Sequence, residues 1–396
     1  MKIAMLLERQ FPYDERVEKE ALSLMEDGHT VSILSFNYDD LPEVENYQGI
    51  RVVRFPVSRN FYRKLGPLHR LLPFYRRIWL GRSLKFVREF QADVIHVHDL
   101  PLANVGFALK RRLECKLVLD QHELWSETVK HYRHYNTVPG KIVRRLSRWR
   151  AYERNYLKRA DKIITVEKPI QDWYVQNYGL DPDKIIVTQN TPRQKDMIGI
   201  SSLPKKSETD FVLFYAGKID ANRYLDTVIR ALADVRKTIP SVRFDIAGRI
   251  AKGCDPRISA DRYGVRENVN YLGELSYENM IKKMADADIC ISLLPSDSEE
   301  LNRTIVTKVY QYLQLKKPMI VGRTTFIREF VNSGGLGMSV NQGSAEALAT
   351  AVKILHDNPH RMREMSANAE KIKKKYVWET TVRDLKDYYN GMEQKS

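Results

Sequence analysis

Asp93-Val-Ile-His96-Val-His98-Asp99 and Lys116-Leu-Val-Leu-Asp120-Gln-His122-Glu123 decide how this chain is read. Each is a short apolar run that ends in histidine and an acid. A run of that length with polar ends suits a strand buried on both faces of a parallel sheet. Outward from this pair the pattern repeats, with strands expected at 3–7, 30–35, 51–55, 93–98, 116–120, 161–166 and 184–189. A helix is expected over 14–27, where Val17, Ala21 and Leu24 share a face, Asp14 caps the start and Gly28 ends it. This alternation predicts a parallel sheet with helices on both faces.

The polar stretch 196–210, rich in Ser, Pro and Lys, keeps no periodicity and reads as a linker. Beyond it the alternation restarts, with strands expected at 211–216, 242–247, 269–272, 289–294, 318–321 and 337–340. The stretch 376–392 carries Trp378, Val382, Leu385 and Tyr389 at helical spacing and is expected to cross back to the first domain. A length of 396 residues accommodates two domains. The expected organisation is therefore a domain at 1–195, a linker at 196–210, a second domain at 211–375 and a returning helix at 376–396. Two such domains make a cleft, and open parallel sheets bind ligands at the carboxyl ends of their strands.

Composition narrows the class. With 43% hydrophobic and 29% charged residues, the chain is globular rather than disordered or fibrous. Three scattered cysteines, Cys115, Cys254 and Cys290, suit neither a disulfide framework nor a zinc site and fit a reducing compartment. The apolar run Ile3–Leu7 is too short for a secretory signal, and no run is long enough to span a bilayer, so a cytoplasmic location is expected.

The formal charge of +15 is unevenly placed. Residues 59–90 hold nine Arg or Lys against one acid, and residues 129–159 hold ten against one. Aromatics accompany both: Phe61, Tyr62, Phe74, Tyr75 and Trp79 in the first, Tyr132, Tyr135, Trp149, Tyr152 and Tyr156 in the second. In the second segment Ile142, Leu146, Trp149, Tyr152 and Tyr156 recur at helical spacing, with Arg144, Arg145 and Arg148 off that line. Such a helix lies either on an anionic membrane or on a core with a solvated basic face. A peripheral position on the inner face of the cell membrane is the expectation. Nucleic acid is set aside because no recognised binding motif accompanies the charge.

Candidate chemistry gathers after strands. His98-Asp99 and His122-Glu123 present a histidine and an acid at two strand ends, where proton exchange or polar contact is available near neutral pH. A zinc site has weak support, since no short-spaced ligand pair appears. In the second half the strand 211–216 runs into Gly217-Lys218, with Arg223 near a helix start; two cations at such a turn suit a diphosphate. Gly248-Arg249 repeats the arrangement more weakly. No GxxxxGK[ST] and no strand-linked GxGxxG is present, which argues against P-loop and dinucleotide chemistry. The acid pairs Asp181/Asp183 and Asp286/Asp288 read as solvated side chains rather than metal ligands.

With these residues in order, the chain resembles glycosyltransferase family 4, the group 1 retaining nucleotide-sugar transferases of GT-B fold. The likeness rests on Phe11-Pro-Tyr-Asp14-Glu-Arg16, the two strand-end histidine motifs, Gly217-Lys218 with Arg223, Lys308-Val-Tyr-Gln311 before Lys317-Pro318-Met-Ile, and Tyr376-Val-Trp378-Glu379. The resemblance implies an α/β GT-B fold of two Rossmann-like domains, the first for the acceptor and the second for a UDP- or GDP-sugar. It implies donor contacts from Gly217, Lys218, Arg223, Gly248, Arg303, Lys308 and Gln311. Lys218 and Arg223 would stabilise the leaving diphosphate without a metal or other cofactor, and His122 would sit beside the transferred sugar. Asp14, Arg16, His98, Asp99 and Glu123 would lie on the acceptor side. The implied acceptor is a glycan, including one on a polyprenyl-diphosphate carrier, in cell-surface polysaccharide or glycoconjugate synthesis. Two departures stand out. The family's pair of glutamates before its Pro-Val-Ile strand falls on Arg303 and Gln311, and Asp14-Glu15-Arg16 replaces its early Gly-Gly. They leave a second reading, an inactive paralogue that partners another transferase, and a third, a GT-B sugar epimerase.

Overall fold

The computed structural model describes residues 1–59, 73–129, 146–197 and 210–393. The chain divides into two compact units, Met1–Gln189 with Val382–Ser396, and Asn190–Thr381.

The first unit is built on eight strands: β1 (Lys2–Gln10), β2 (Thr30–Asn37), β3 (Val44–Tyr47), β4 (Ile50–Pro56), β5 (Val94–His98), β6 (Lys116–Gln121), β7 (Lys162–Thr165) and β8 (Ile185–Val187). Their order in the sheet is β3-β4-β2-β1-β5-β6-β7-β8. All pairs are parallel except β3 with β4. The run Ile3–Leu7 supplies the central strand and is fully buried. The chain leaves β1 towards β2 on one side and later places β5 on the other. That reversal opens a crevice at the carboxyl ends of β1 and β5. Helix α1 (Glu15–Glu26) follows β1; Asp14 caps it by accepting from the Val17 amide at 3.4 Å, and Val17, Ala21 and Leu24 face the core. The sequence reading missed β3, whose residues are exposed or half-buried and leave no apolar run.

Two helices carry the basic segments. Helix α2 (Pro73–Phe90) buries Tyr75, Trp79, Phe86 and Val87 and exposes Phe74 and Ile78. Helix α3 (Leu146–Arg159) turns Trp149 and Leu157 into the core, with Tyr152 and Tyr156 packed against it. The aromatic line of α3 therefore serves packing, and Arg148, Arg154, Lys158 and Arg159 are left on the solvated side. Residues 60–72 and 130–145, which hold the rest of both segments and include Phe61, Tyr62, Tyr132, Tyr135, Ile142, Arg144 and Arg145, lie outside the described residues.

The second unit has six parallel strands: β9 (Phe211–Ala216), β10 (Val242–Ala247), β11 (Val269–Tyr271), β12 (Ile289–Ser292), β13 (Met319–Val321) and β14 (Gly337–Ser339). Their order is β11-β10-β9-β12-β13-β14, so the switch point falls at the ends of β9 and β12. Helix α4 (Thr307–Gln314) precedes β13.

The unit boundary differs from the expected 195. Residues 190–197 belong to the second unit, where Pro192 accepts from the Trp378 amide at 2.9 Å and Met197 is buried in the core. Most of the expected linker, residues 198–209, lies outside the described residues. The terminal stretch is also two pieces rather than one helix. Trp378–Thr381 stays with the second unit, and α5 (Arg383–Glu393) belongs to the first.

Candidate active site

In the first unit the strand-end residues meet around one carboxylate. Asp120 is fully buried at the end of β6, in register with His98 of β5. His122 donates from Nε2 to its Oδ2 at 2.8 Å, and His98 Nδ1 lies 3.2 Å from the same oxygen. From the other side Arg16 reaches Oδ1 through Nη2 at 3.0 Å and Oδ2 through Nε at 3.3 Å. Arg16 also donates to the Thr188 carbonyl at 2.8 Å and pairs with Glu20 at 2.9 Å. With 3% exposure, Arg16 acts on the site through Asp120.

These contacts set the charges. Burial opposes ionisation of Asp120, but Arg16 and His122 overcome it and hold the carboxyl well below its usual range. Burial likewise opposes protonation of His122; Asp99 and Asp120 outweigh it and raise the imidazolium to about 10. His122 is thus a cation at neutral pH: it can donate to an oxygen but cannot accept a proton. His98 and His96 are lowered by burial and neighbouring charge, so they stay neutral. Glu20, beside Asp120, is pushed up to about 8, chiefly by burial.

The rim is formed by Asp99, Asp14 and Arg9. Asp99 Oδ1 is 3.8 Å from His122 Nδ1, and Arg9 lies 3.9 Å from both Asp99 and Asp14. Asp99 has φ 65°, a left-handed turn that ends β5 and aims its side chain. Glu123 is half-buried beside His122. Behind the pair His96 stacks on His98 with ring centres 4.5 Å apart and accepts from or donates to the Tyr389 hydroxyl of α5 at 2.9 Å. Glu20, His96, His98 and Asp120 place ligand-type atoms within 4.8 Å of one another. The Arg16 guanidinium already serves both carboxylates of that set.

In the second unit the turn after β9 is shaped by two glycines. Gly217 has φ 138° and Gly248 has φ 133°; a Cβ on Gly248 would stand 1.9 Å from the Gly217 oxygen. Only glycine permits that approach. Lys218 follows, 67% exposed, with Nζ 3.0 Å from Asp220. Arg223 Nε is 3.8 Å from the same carboxylate and is buried without a hydrogen-bond partner. Lys308 of α4 completes the group: its Nζ lies 4.1 Å from the Tyr215 ring centre and would meet a Gly217 Cβ at 2.7 Å. Burial and then Arg223 lower the Lys308 ammonium to about 7, against Asp220.

Gly217, Lys218, Arg223, Gly248 and Lys308 are therefore brought together. Gln311 sits one turn after Lys308 on α4 and is buried. Arg303 turns to Glu299 and donates from Nη1 to both its backbone carbonyl and its carboxylate. The helix expected to start near Arg223 begins at Leu225, after a short turn at Ala221–Arg223 that Asp220 caps and a left-handed Tyr224. Asp120, Glu20 and Asp220 were missed as site residues. The first was visible as an acid inside an otherwise apolar strand, the last as an acid between the two cations.

Two parallel α/β units, each with polar groups at its switch point, are the GT-B glycosyltransferase architecture. Residues 16–191 match the model of Glycosyltransferase Family 4, and residues 201–372 match Glycosyl transferases group 1. The chain belongs to the group 1 glycosyltransferases of GT-B fold, and it is a glycosyltransferase. Among curated relatives, glycogen synthase of Mycobacterium tuberculosis is 22% identical over 294 residues, covering 74% of this chain and 67% of the relative. Sucrose-phosphate synthase from Thermosynechococcus elongatus superposes with TM-score 0.74 at 16% identity over 100% of both chains. HepE from Anabaena in complex with UDP gives TM-score 0.70 at 16% identity, over 99% of this chain and 100% of that one.

Proposed function

We propose that this protein moves a sugar from a UDP- or GDP-sugar to a glycan acceptor, with retention of anomeric configuration and without a metal. The observation that carries the reading is the convergence of Lys218, Arg223 and Lys308 on the Gly217 turn. Three cations at one strand end suit a diphosphate leaving group. The UDP held by the HepE neighbour agrees with a nucleotide donor. In this reading His122 donates a charged hydrogen bond to a sugar oxygen, and Asp120 and Arg16 hold it in place. Deprotonation of the acceptor falls to the leaving phosphate, since a histidine with a pKa of about 10 is no base at neutral pH.

A thermal-shift panel of nucleotide-sugars tests this. A donor at about 100 times its dissociation constant stabilises by about 2.7 kcal/mol. The effect should vanish in Lys218→Ala and Arg223→Ala. Loss of all response across the panel would favour the second reading, a non-catalytic partner of another transferase. That reading draws on the Arg303–Glu299 pair and on Gln311, which together leave no carboxylate at the two positions aligned with the family's glutamates. Among the described residues no helix is long and apolar enough to cross a membrane. We propose a cytoplasmic protein that meets the inner membrane face through its basic segments.

A further inference from the structure

The returning helix α5 reaches the His122 site through a chain of rings. Its Tyr389 is fully buried, and the hydroxyl lies 2.9 Å from His96 Nδ1. The two rings are 10° from parallel, with centres 6.2 Å apart. His96 stacks in turn on His98, at 25° and 4.5 Å. His98 Nδ1 then meets the site itself, 3.2 Å from Asp120 Oδ2 and 3.3 Å from His122 Nε2. Tyr389 follows His96 by 293 positions, so nothing local to β5 prepares this contact.

Each imidazole of the chain has one polar anchor. His98 Nε2 is buried and makes no hydrogen bond among the described residues, which leaves its Nδ1 edge as the anchor. That edge fixes one side of the ring and leaves its plane to the stack on His96. His96 Nε2 is likewise buried without a hydrogen bond; Glu20 Oε2 is 3.6 Å away, beyond bonding range. The Tyr389 hydroxyl is therefore the anchor of His96. Burial keeps both Tyr389 and His96 uncharged, so their bond persists across neutral pH. Helix α5 is itself fixed: Lys386 and Asn390 both reach Asp27 at the end of α1, at 2.6 and 3.0 Å.

Packing alone does not ask for this arrangement. A phenylalanine at 389 would fill nearly the same space and spare the cost of burying a hydroxyl against an imidazole. A buried polar chain that ends on Asp120 and His122 holds their geometry. We propose that Tyr389 is a positioning residue for sugar transfer: through His96 and His98 it fixes the ring of His122, and with it the hydrogen bond that His122 offers to the sugar. The proposal rests on the transferase reading for its purpose, but its structural step needs no donor.

The first readout is the His122 imidazole, followed by NMR on the full chain with labelled histidine rings. Burial lowers its midpoint, while Asp99 and the bond to Asp120 hold it at about 10, so the midpoint reports whether that bond keeps its geometry. Tyr389→Phe keeps the ring and removes the hydroxyl. It should lower the midpoint by about one unit, a tenfold loss of proton affinity. Asn390→Ala is the control. It cuts the Asp27 bond of the same helix and leaves the rings alone, so it should lower the melting temperature without moving the midpoint. If Tyr389→Phe folds poorly, Tyr389→Phe combined with His96→Phe removes both halves of the buried bond. The pair should melt close to the wild type and still show the lowered midpoint. The second readout is slow hydrolysis of UDP-glucose and GDP-mannose without acceptor, where Tyr389→Phe should lower kcat about tenfold and leave KM unchanged. An unmoved midpoint in the Tyr389 variants, or an equal shift in Asn390→Ala, overturns the proposal. If the wild type hydrolyses a probe and the midpoint stays, only the ring chain fails. If the midpoint moves and the wild type hydrolyses neither probe, the ring chain stands and the transferase reading loses support.

Discussion

Raising the pH from 7 to 9 should weaken nucleotide-sugar binding through Lys308. Its ammonium is lowered to about 7 by burial against Tyr215 and Gly217 and by Arg223. A bound diphosphate brings negative charge to the same turn and returns the group to the protonated form. The sign follows: below pH 7 the free protein already carries the proton, and above it the proton must be taken up with the donor. At pH 8 about nine in ten free molecules lack it, so each donor bound takes up about 0.9 proton. Affinity should then fall about tenfold per pH unit above 7. A nucleotide-sugar is the right ligand, because a terminal phosphate would itself titrate near ~6. Calorimetry at pH 8 in two buffers of different ionisation heat counts the protons directly. Lys308→Arg should bind with no pH dependence in this range, and Lys308→Met should bind weakly with none. Flat affinity of the wild type from pH 7 to 9, or proton uptake that survives in Lys308→Arg, would refute the reasoning.

Gly248→Ala should lower donor affinity at least about tenfold and cost about 1–3 kcal/mol, because its Cβ would overlap the Gly217 oxygen at a left-handed φ. Calorimetry and thermal melting read both. Asp120→Asn should destabilise the chain by about 3–5 kcal/mol in a urea melt, since it strips the buried Arg16 of its bidentate partner; a loss below about 1 kcal/mol would contradict that role. His122 should show no NMR titration between pH 6 and 8, and a midpoint near 10. Its folded value is raised, so the stability it contributes is present below the ordinary ~6.5 and lost as pH climbs through the folded value.

The sheets were legible because their strands are uninterrupted apolar runs, as Ile3–Leu7 and Phe211–Ala216 show. Strand β3 was not, since Val44–Tyr47 buries no side chain fully. The positions of His98, His122 and Gly217-Lys218 were legible as strand ends. What the strand pattern does not carry is pairing across the chain. Arg16 and Asp120 are 104 residues apart, and nothing local announces that the arginine is buried beneath the site rather than facing an acceptor. The aromatic line of α3 shows the same limit. Helical spacing suits a membrane face and a core face equally, and only the packing of Trp149 decides between them.

Asp120 and Asp220 solve one problem in two ways. Each follows or ends a strand and stands between two cations. Asp120 is fully buried and held at 2.8 and 3.0 Å by His122 and Arg16, so its partners cannot exchange without exposing a buried charge. It is a permanent frame that keeps His122 charged and pointed. Asp220 is looser, 3.0 Å from a largely exposed Lys218 and 3.8 Å from Arg223. An exposed pair of that kind is worth only ~0–1 kcal/mol. In the proposed reading an incoming diphosphate would take Lys218 from Asp220 at small cost and would offer the buried Arg223 Nε the acceptor it lacks. The same residue type thus fixes its cations at the buried strand end and holds them loosely at the exposed turn, the difference the proposed donor site would need.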